Sequence, residues 1–235
     1  MMGKSHLVAL VVVALALPLQ ASADCVVLLH GLARTSKSMT KLASAFDARG
    51  YTVANVDYPS RKKPIEELAV IAVEKGVDKC AANASEKIHF VTHSLGGIIV
   101  RYYLTHNQLS RLGRVVMLAP PNQGSEVVDN MGNFPGFYLL NGPAGSQLGT
   151  GEGGIPLTLG PVTYPVGVVA GTRTINLLLS QYLPNPDDGK VSVENTKVEG
   201  MADFIEFPVS HPFIMRRDAV IEQALAFIAT GKFTQ

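Results

Sequence analysis

The sequence predicts an α/β fold in which a mostly parallel central sheet is flanked by helices. Two observations predict it. Strand-length runs of apolar residues alternate with segments of helical periodicity along most of the chain, and these runs are continuous rather than interrupted by polar residues. Continuous apolar runs are typical of strands that are buried on both faces, as they are in a parallel sheet. Such strands are joined by right-handed crossovers.

Six strands are predicted from short apolar runs that end at glycine, proline or a polar turn residue. They cover, in order, residues 25–29, 51–58, 88–92, 114–118, 165–170 and 203–209. The first run, CVVLL, ends before His30 and Gly31, while Pro59 and Pro120 end the second and fourth runs. Proline ends a central strand because it lacks the N–H group that the sheet requires.

Four helices are predicted where apolar residues recur with helical spacing. They cover residues 38–49, 64–80, 95–105 and 213–230. Leu42 and Phe46 share one face of the first helix, and Gly50 ends it. Pro64 begins the second helix at a position where proline is favoured. Together with the strands, these helices give the order expected for a helix-covered parallel sheet.

The segment 121–165 interrupts this alternation, because it is rich in glycine and proline and shows no regular periodicity. Large apolar residues are scattered through it, among them Phe134, Phe137 and Leu140. A long loop without secondary structure in a compact domain is usually a lid or a binding loop. Since large apolar side chains are costly to expose, we expect this segment to cover a binding site to which Phe137 and Leu140 contribute.

Residues 1–23 have the pattern of a secretory signal peptide. Lys4 gives a positive start, an apolar stretch over 7–17 follows, and the small residues ASA at 21–23 provide a cleavage site. That stretch is too short to span a hydrocarbon core of about 30 Å. We therefore expect residues 24–235 to be the mature chain, a single domain that is exported to the periplasm or secreted.

The charge of the chain excludes several partners. The whole chain has 20 basic and 19 acidic residues, so removal of Lys4 leaves 19 of each and no net charge. Because no basic run of five or more residues occurs, nucleic acids and anionic membrane surfaces are poor partners. For the same reason we expect no cationic groove, and a substrate without phosphate or acidic groups. No pattern marks a cofactor or a metal site.

The two cysteines, Cys25 and Cys80, are an even number in a chain predicted to be exported. Exported compartments are oxidising, so one disulfide is favoured over two free thiols.

The segment 88–100, IHFVTHSLGGIIV, places Ser94 between a run of strand character and a run of helical length. This resembles the pattern G-x-S-x-G of a nucleophile elbow, in which a sharp strand-to-helix turn exposes a serine hydroxyl. Gly96 and Gly97 leave room for the helix to approach the strand. Thr92 stands where the pattern has its first glycine, and a small residue there is still able to pack.

A serine hydroxyl is a weak nucleophile at neutral pH and needs a histidine to accept its proton. In enzymes with this elbow, an acid and then a histidine follow the serine along the chain, which leaves His106 and His211. His106 lies at the far end of the helix that Ser94 begins. His211 directly follows the last strand, at the carboxyl edge where sites of open α/β sheets form. We therefore predict His211 as the base.

The acid should lie on a loop at the same edge, where it can orient the imidazole. Asp187 and Asp188 are adjacent candidates in the segment PNPDDGKV. Asp203 opens a strand at the opposite edge, and Glu194 and Glu199 are weaker alternatives. We predict Asp188, with Asp187 as the close alternative.

The chain resembles the lipase branch of the α/β-hydrolase family, in particular compact bacterial secreted lipases and esterases. Five segments carry the resemblance in the family's order: VVLLHGL, VTHSLGG, APPNQGS, DDGKV and VSH. The resemblance implies a triad of Ser94, Asp188 and His211. It also implies an oxyanion hole that uses the backbone N–H groups of Leu32 and Leu95.

The resemblance has two further structural consequences. The segment APPNQGS, which includes Pro121, is expected to line the site where the lid begins. In this fold the first strand is the parallel neighbour of the nucleophile strand, so Cys25 and Cys80 are expected at the amino edge of the sheet. Their Cα atoms would then lie within the roughly 4.4–6.8 Å that a disulfide requires.

We expect a secreted serine hydrolase that cleaves carboxylic esters through an acyl-enzyme on Ser94, without a cofactor. A thioesterase, amidase or acyltransferase with the same triad is an alternative, as is a catalytically silent binding module of the same fold. The expected substrate is a small-molecule or lipid ester with a medium-length acyl chain, because each buried methylene contributes about 0.8 kcal/mol. Transient contact with a lipid surface and the oligomeric state are left open.

Overall fold

The computed structural model describes residues 24–83 and 85–234, so the predicted signal peptide at 1–23 lies outside the described residues. One sheet contains the strands β1 Cys25–Leu29, β2 Thr52–Val56, β3 Ile88–His93, β4 Leu112–Leu118, β5 Val166–Gly171 and β6 Asp203–Phe207. The strand order is β2-β1-β3-β4-β5-β6, and all neighbouring strands run parallel. The predicted strands and the parallel sheet are confirmed.

The α-helices of the described chain are α1 Thr40–Asp47, α2 Ile65–Ala81, α3 Leu95–His106, α4 Glu126–Met131, α5 Phe137–Ser146, α6 Ile155–Thr158, α7 Leu177–Ser180, α8 Val193–Thr196 and α9 Asp218–Thr230. The predicted helices at 38–49 and 213–230 each begin instead with a 3-10 helix, at Ser36–Met39 and His211–Arg216. The 3-10 helix at His211–Arg216 is separate from α9 because Arg217, between them, has an extended backbone with φ −79° and ψ 126°. Within 24–83 and 85–234, no helix has the length and apolarity needed to cross a membrane.

The sheet separates two hydrophobic cores. Val27 and Leu29 face one core, whereas Val26 and Leu28 face the other, because successive side chains of a strand point to opposite faces. Helices α2 and α3 cover the first face, and α1 and α9 cover the second. Every residue of β1 is fully buried, which explains why its sequence is apolar without alternation.

The expectation that 121–165 has no regular structure is wrong, because α4, α5 and α6 lie within it. These helices are short, and α5 is interrupted at Gly142, which has a positive φ of 67°. Short helices broken by glycine and proline leave no helical period in the sequence. The expected burial is also incorrect for Phe134 and Leu140, whose side chains are 55% and 64% exposed. These two side chains are therefore largely exposed to solvent.

The predicted disulfide is confirmed. Cys25 and Cys80 are bonded with a Cα–Cα separation of 5.6 Å, and the bond joins the first residue of β1 to the last turn of α2. Gly76 allows this helix to lie close to the sheet, since a Cβ atom there would be 2.4 Å from Cγ1 of Val27. The disulfide therefore fastens α2 to β1 at the amino edge of the sheet, opposite the edge where Ser94 follows the end of β3.

Candidate active site

Ser94 occupies a strained turn between β3 and α3. Its backbone is in an unusual region, with φ 52° and ψ −121°, and strain of this kind is concentrated at functional sites. The turn requires Gly96, because a Cβ atom there would lie 2.6 Å from the carbonyl oxygen of Leu29 on β1. The sequence therefore makes the sharp strand-to-helix turn that the elbow pattern predicts.

Thr92 fits where the elbow pattern has glycine. Its side chain is fully buried, and its hydroxyl donates to the carbonyl of Val116 at 3.3 Å. Space for it exists because Gly97 faces it: a Cβ atom on Gly97 would lie 3.3 Å from the Thr92 hydroxyl oxygen. The departure from the pattern is therefore accommodated by the glycine on the helix side.

The structure brings Ser94, His211 and Asp188 together. His211 Nε2 lies 3.0 Å from the Oγ of Ser94, and its Nδ1 lies 2.7 Å from Oδ2 of Asp188. Asp188 is fully buried, and its other oxygen, Oδ1, accepts the backbone N–H groups of Lys190 at 3.0 Å and Val191 at 2.9 Å. Both carboxylate oxygens thus have partners, which fixes the orientation of the carboxylate toward the imidazole.

Asp187 points away from the imidazole. Its Oδ2 accepts the hydroxyl of Ser180 at 2.5 Å, and its Oδ1 accepts the backbone N–H of Gly189 at 2.7 Å. These contacts are those of a turn residue that holds a loop. The geometry therefore favours Asp188 over Asp187 as the partner of His211.

His93 is a residue of this site that the sequence analysis missed. Its Nε2 lies 3.1 Å from the carbonyl oxygen of His211, and since a carbonyl only accepts, this nitrogen carries the proton. Burial lowers the pKa of His93 well below its usual range, so the ring is neutral. It thereby holds the backbone of His211. Its position directly before Ser94 is the one signal that the sequence contained.

The segment APPNQGS connects the nucleophile region to the loop that carries Asp188. Asn122 donates its side-chain N–H to the carbonyl of Thr196 at 2.7 Å, and the Ser125 hydroxyl donates to the carbonyl of Lys190 at 2.7 Å. Arg101, buried on α3, donates to both the backbone and the side-chain oxygen of Asn122. This segment therefore holds the acid loop as well as bordering the site.

The loop after β1 lies beside Ser94. Leu32 lines the same cavity as Ser94, while Leu95 directly follows Ser94 as the first residue of α3, where backbone N–H groups have no helical partner. The loop is held because Ala33 donates its backbone N–H to the Ser60 hydroxyl at 3.1 Å. Ala33 itself has a positive φ of 55°. Leu95 is thus the direct neighbour of Ser94 in the chain, and Leu32 shares a cavity with it.

A cavity of about 430 Å³ opens at these residues. Its lining is mostly apolar and includes Leu32, Pro121, Val127, Val128, Phe137, Leu148, Ile175 and Val191. Phe137 and Asn141 of α5 contribute because residues four apart share one face of a helix, and Gly145 contributes from beyond the interruption at Gly142. Leu140 lies on a different face and is not among the lining residues. Pro121 and Phe137 are thus at the cavity as predicted, and Leu140 is not.

A second cavity of about 620 Å³ adjoins the first, and the two share Ala33 and Arg34. Arg61 and Lys62 also line it, so the expectation that the chain forms no cationic groove is wrong. The expectation fails because Arg34 comes from the loop after β1 and the other two cations from the loop after β2. Cations that converge from different loops form no long basic run in the sequence.

In the part of the chain that the structure describes, no group of three or more His, Cys, Asp or Glu side chains is arranged to hold a metal ion.

Residues 26–225 match the sequence profile of the alpha/beta hydrolase family. The chain belongs to the α/β-hydrolase family. No curated protein matches the chain.

Several solved structures share the fold. The lipase BlEst2 of Bacillus licheniformis, in its mature form, is 18% identical with a TM-score of 0.69, covering 92% of this chain and 94% of the lipase. Phospholipase PlaB from Legionella pneumophila is 18% identical with a TM-score of 0.65, covering 89% of this chain and 58% of the phospholipase. A thermophilic esterase from Thermogutta terrifontis is 12% identical with a TM-score of 0.61, covering 90% of this chain and 91% of the esterase.

Proposed function

We propose that this protein is a serine hydrolase that cleaves carboxylic esters through an acyl-enzyme on Ser94. The observation that carries the proposal is the continuous contact from Ser94 Oγ to His211 Nε2, at 3.0 Å, and from His211 Nδ1 to the buried Asp188 carboxylate, at 2.7 Å. A serine, a base and an orienting acid in this order are the arrangement that activates a hydroxyl for acyl transfer.

The reaction proceeds in two halves. In the first, His211 Nε2 takes the Ser94 hydroxyl proton while Oγ bonds to the ester carbonyl carbon; the bond to the alcohol oxygen then breaks, and the alcohol leaves with that proton. In the second, water attacks the acyl-enzyme, giving up a proton through His211, and the acid leaves as Ser94 regains its hydroxyl. Asp188 stabilises the imidazolium in both halves, and the N–H groups of Leu32 and Leu95 donate to the oxyanion.

Because the cavity lining is mostly apolar, we expect the acyl chain to be the part of the substrate that binds in it. Each methylene removed from water contributes about 0.8 kcal/mol, so binding improves until the cavity is filled. The names of two structures with the same fold, a lipase and an esterase, agree with a carboxylic ester as the scissile group.

Contact with a lipid surface is part of the proposal. Exposed apolar side chains lie in the two segments that also supply Phe137 and Ile175 to the cavity lining. We call these residues the apolar rim: Phe134, Tyr138, Leu139, Leu140, Ile175, Leu177 and Leu178. Exposed apolar patches of this kind are typical of interaction sites. A lipid surface that covers the rim would bring its esters to the cavity.

Export is also part of the proposal. The disulfide between Cys25 and Cys80 supports it, because disulfides persist in oxidising compartments. We expect the protein recovered from the periplasm or the medium to begin at Asp24, as measured by intact mass. A protein that stays in the cytoplasm with residues 1–23 attached would contradict this part.

The central test is hydrolysis of p-nitrophenyl esters of increasing acyl length by purified residues 24–235. We expect Ser94→Ala to lower kcat by about 10⁴-fold or more, with a Tm close to that of the wild type. His211→Ala should have a similar effect, and the double variant should add little because the two residues act as a unit. Substantial turnover by purified Ser94→Ala would refute the proposal.

The same acyl chain presented as a thioester and as an anilide distinguishes the alternative activities. We expect the oxygen ester to have the highest kcat/KM. A preference for the thioester or the anilide would keep the triad but change the proposed substrate class. No Ser94-dependent turnover of any of the three would favour a catalytically silent binding module.

A further inference from the structure

The second cavity, here called the basic groove, contains more positive than negative charge. Arg34, Arg61 and Lys62 line it together with a single carboxylate, Asp57. Asp57 is already engaged, since its Oδ1 accepts the backbone N–H of Ser36 at 2.9 Å and lies 3.5 Å from His30 Nε2. None of the salt bridges within residues 24–83 and 85–234 involves the three cations. These contacts leave the charge of Asp57 in place, so the groove has three cations against one carboxylate and is positive on balance.

The walls of the basic groove are held in place by specific contacts. The Ser60 hydroxyl accepts the backbone N–H of Ala33, which ties the loop after β2 to the loop beside the nucleophile. Helix α5 closes the other side, where a Cβ atom on Gly142 would lie 1.9 Å from the carbonyl oxygen of Arg61. This close approach places Leu139 in the groove lining. The groove is therefore a formed feature between three segments rather than a chance cluster of side chains.

The basic groove continues into the catalytic cavity. Ala33 and Arg34 line both, and they directly follow Leu32, whose N–H is the proposed oxyanion donor. An ester carbonyl at Ser94 would thus lie between an apolar compartment and a cationic one. Because an acyl chain is suited to the apolar side, the alcohol part of the ester is directed toward the cations.

We propose that the basic groove binds an anionic group on the alcohol part of the ester substrate. The inference rests on the proposed ester hydrolysis and specifies its substrate class. The anionic group, a phosphate or a carboxylate, belongs either to a soluble ester or to the headgroup of an anionic lipid. In both cases the three cations attract the same charge, and they do so before the ester bond is cleaved.

A matched pair of substrates isolates this charge. One is the octanoate ester of ortho-nitrophenol, and the other is the same ester with a carboxylate para to the nitro group. The measured quantity is the ratio of kcat/KM for the charged ester to kcat/KM for the neutral ester. We expect the double variant Arg61→Gln/Lys62→Gln to lower this ratio about threefold to tenfold. The effect is modest because each exposed charge contributes little binding free energy.

The matched control is Lys63→Gln, because Lys63 is paired with Glu67 and does not line the groove. We expect this variant to leave the ratio unchanged. Because salt screens exposed charges, about 0.5 M NaCl should lower the wild-type ratio and have little effect on the ratio of the double variant. An unchanged ratio in the double variant, or an equal fall in the control, would overturn the proposal.

Vesicles separate the two sources of the anion. Hydrolysis of phosphatidylglycerol and of phosphatidylcholine vesicles is compared in the wild type and the double variant. If the double variant has a lower ratio for the soluble pair, the groove is supported as a subsite. If it also hydrolyses phosphatidylglycerol vesicles more slowly than the wild type, with phosphatidylcholine unaffected, the anion is assigned to a lipid headgroup. If the double variant hydrolyses phosphatidylglycerol more slowly but its ratio for the soluble pair is unchanged, the cations attract the protein to anionic surfaces in general. That result would overturn the subsite. Failure of the groove proposal leaves the proposed ester hydrolysis intact, because turnover of the neutral ester by Ser94 does not depend on the groove. The two proposals are therefore tested separately.

Discussion

Neighbouring groups hold the three proposed catalytic residues in their mutual orientation. Asp188 keeps its orientation because two backbone N–H groups occupy the oxygen that does not face His211. His211 in turn is held by its side-chain contact with Asp188 and by His93, which donates to its carbonyl. Ser94 is held by a strained turn that Gly96 makes possible. At this scale the three side chains are preorganised, as the proposed acyl transfer requires.

The two adjacent aspartates should respond differently to loss of charge. We expect Asp188→Asn to lower kcat for p-nitrophenyl esters by about 10³-fold or more, because the imidazole loses the partner that sets its tautomer. Asp187→Asn serves as the matched control. Since the Asp187 carboxylate hydrogen-bonds to Ser180 and Gly189, loss of its charge should lower Tm slightly and leave kcat within a few-fold of the wild type. The reverse ranking of the two kcat values would assign the acid to Asp187.

At the scale of elements, α5 has one face that lines the cavity and another that is exposed to solvent. Phe137 lines the cavity, whereas Leu140 is on another face and is 64% exposed. We expect Phe137→Ala to flatten the dependence of kcat/KM on acyl length, with acetate hydrolysis little affected, because removal of the ring reduces the apolar surface that meets the chain. Leu140→Ala is the control, and its profile with soluble esters should match the wild type. Equal flattening in both variants would place Leu140 in the pocket.

The disulfide gives α2 a covalent attachment to β1. Because it closes a loop of 55 residues in sequence, its loss should lower the free energy of unfolding by about 2–5 kcal/mol. We expect Cys25→Ala/Cys80→Ala to unfold at a lower urea concentration with the ester profile retained, because the bond lies at the edge of the sheet opposite Ser94. A double variant with wild-type stability would contradict this expectation.

The elements that the sequence predicted well are those with a strong local signal. Buried strands such as β1 are continuous apolar runs, and α2 has both a proline start and helical spacing. The helices it missed, α4 to α8, are too short to show a helical period, and glycine and proline interrupt the segment that contains α4 to α6. For the site, Ser94, Asp188 and His211 stand in recognisable motifs.

The side chains that support the site were harder to predict, because their roles arise only after folding. His93 acts through the backbone of a residue 118 positions away, and Arg101 acts through Asn122. The basic groove combines Arg34 with Arg61 and Lys62 from another loop. Net charge and basic runs describe a sequence average, whereas a substrate meets the local charge of a cavity. At the scale of the whole molecule, a chain with 20 basic and 19 acidic residues therefore presents an apolar cavity beside a positive groove.

Three buried histidines make the whole molecule sensitive to acid. Burial lowers the pKa of His30, His89 and His93 from the usual 6.5, so all three are neutral in the folded protein at neutral pH. In the unfolded chain these rings regain ordinary pKa values and bind protons at mildly acidic pH. The unfolded state then binds more protons than the folded state, and stability falls as pH decreases. The stabilisation is therefore fully present above about pH 6.5 and is lost as pH falls below that value.

We expect Tm to be nearly constant between about pH 8 and 7 and to fall steadily from about pH 6.5 to 5. His89→Gln should make this fall shallower, because one titrating ring is removed at the amino edge of the sheet, distant from Ser94. His93→Gln should do the same, although its lost contact with His211 also lowers kcat. His106→Gln is the control, since His106 is exposed at the end of α3 and its loss should leave the slope of Tm against pH unchanged. A wild-type Tm that stays level down to pH 5, or equal slopes in all three variants, would show that buried histidines do not set the acid stability.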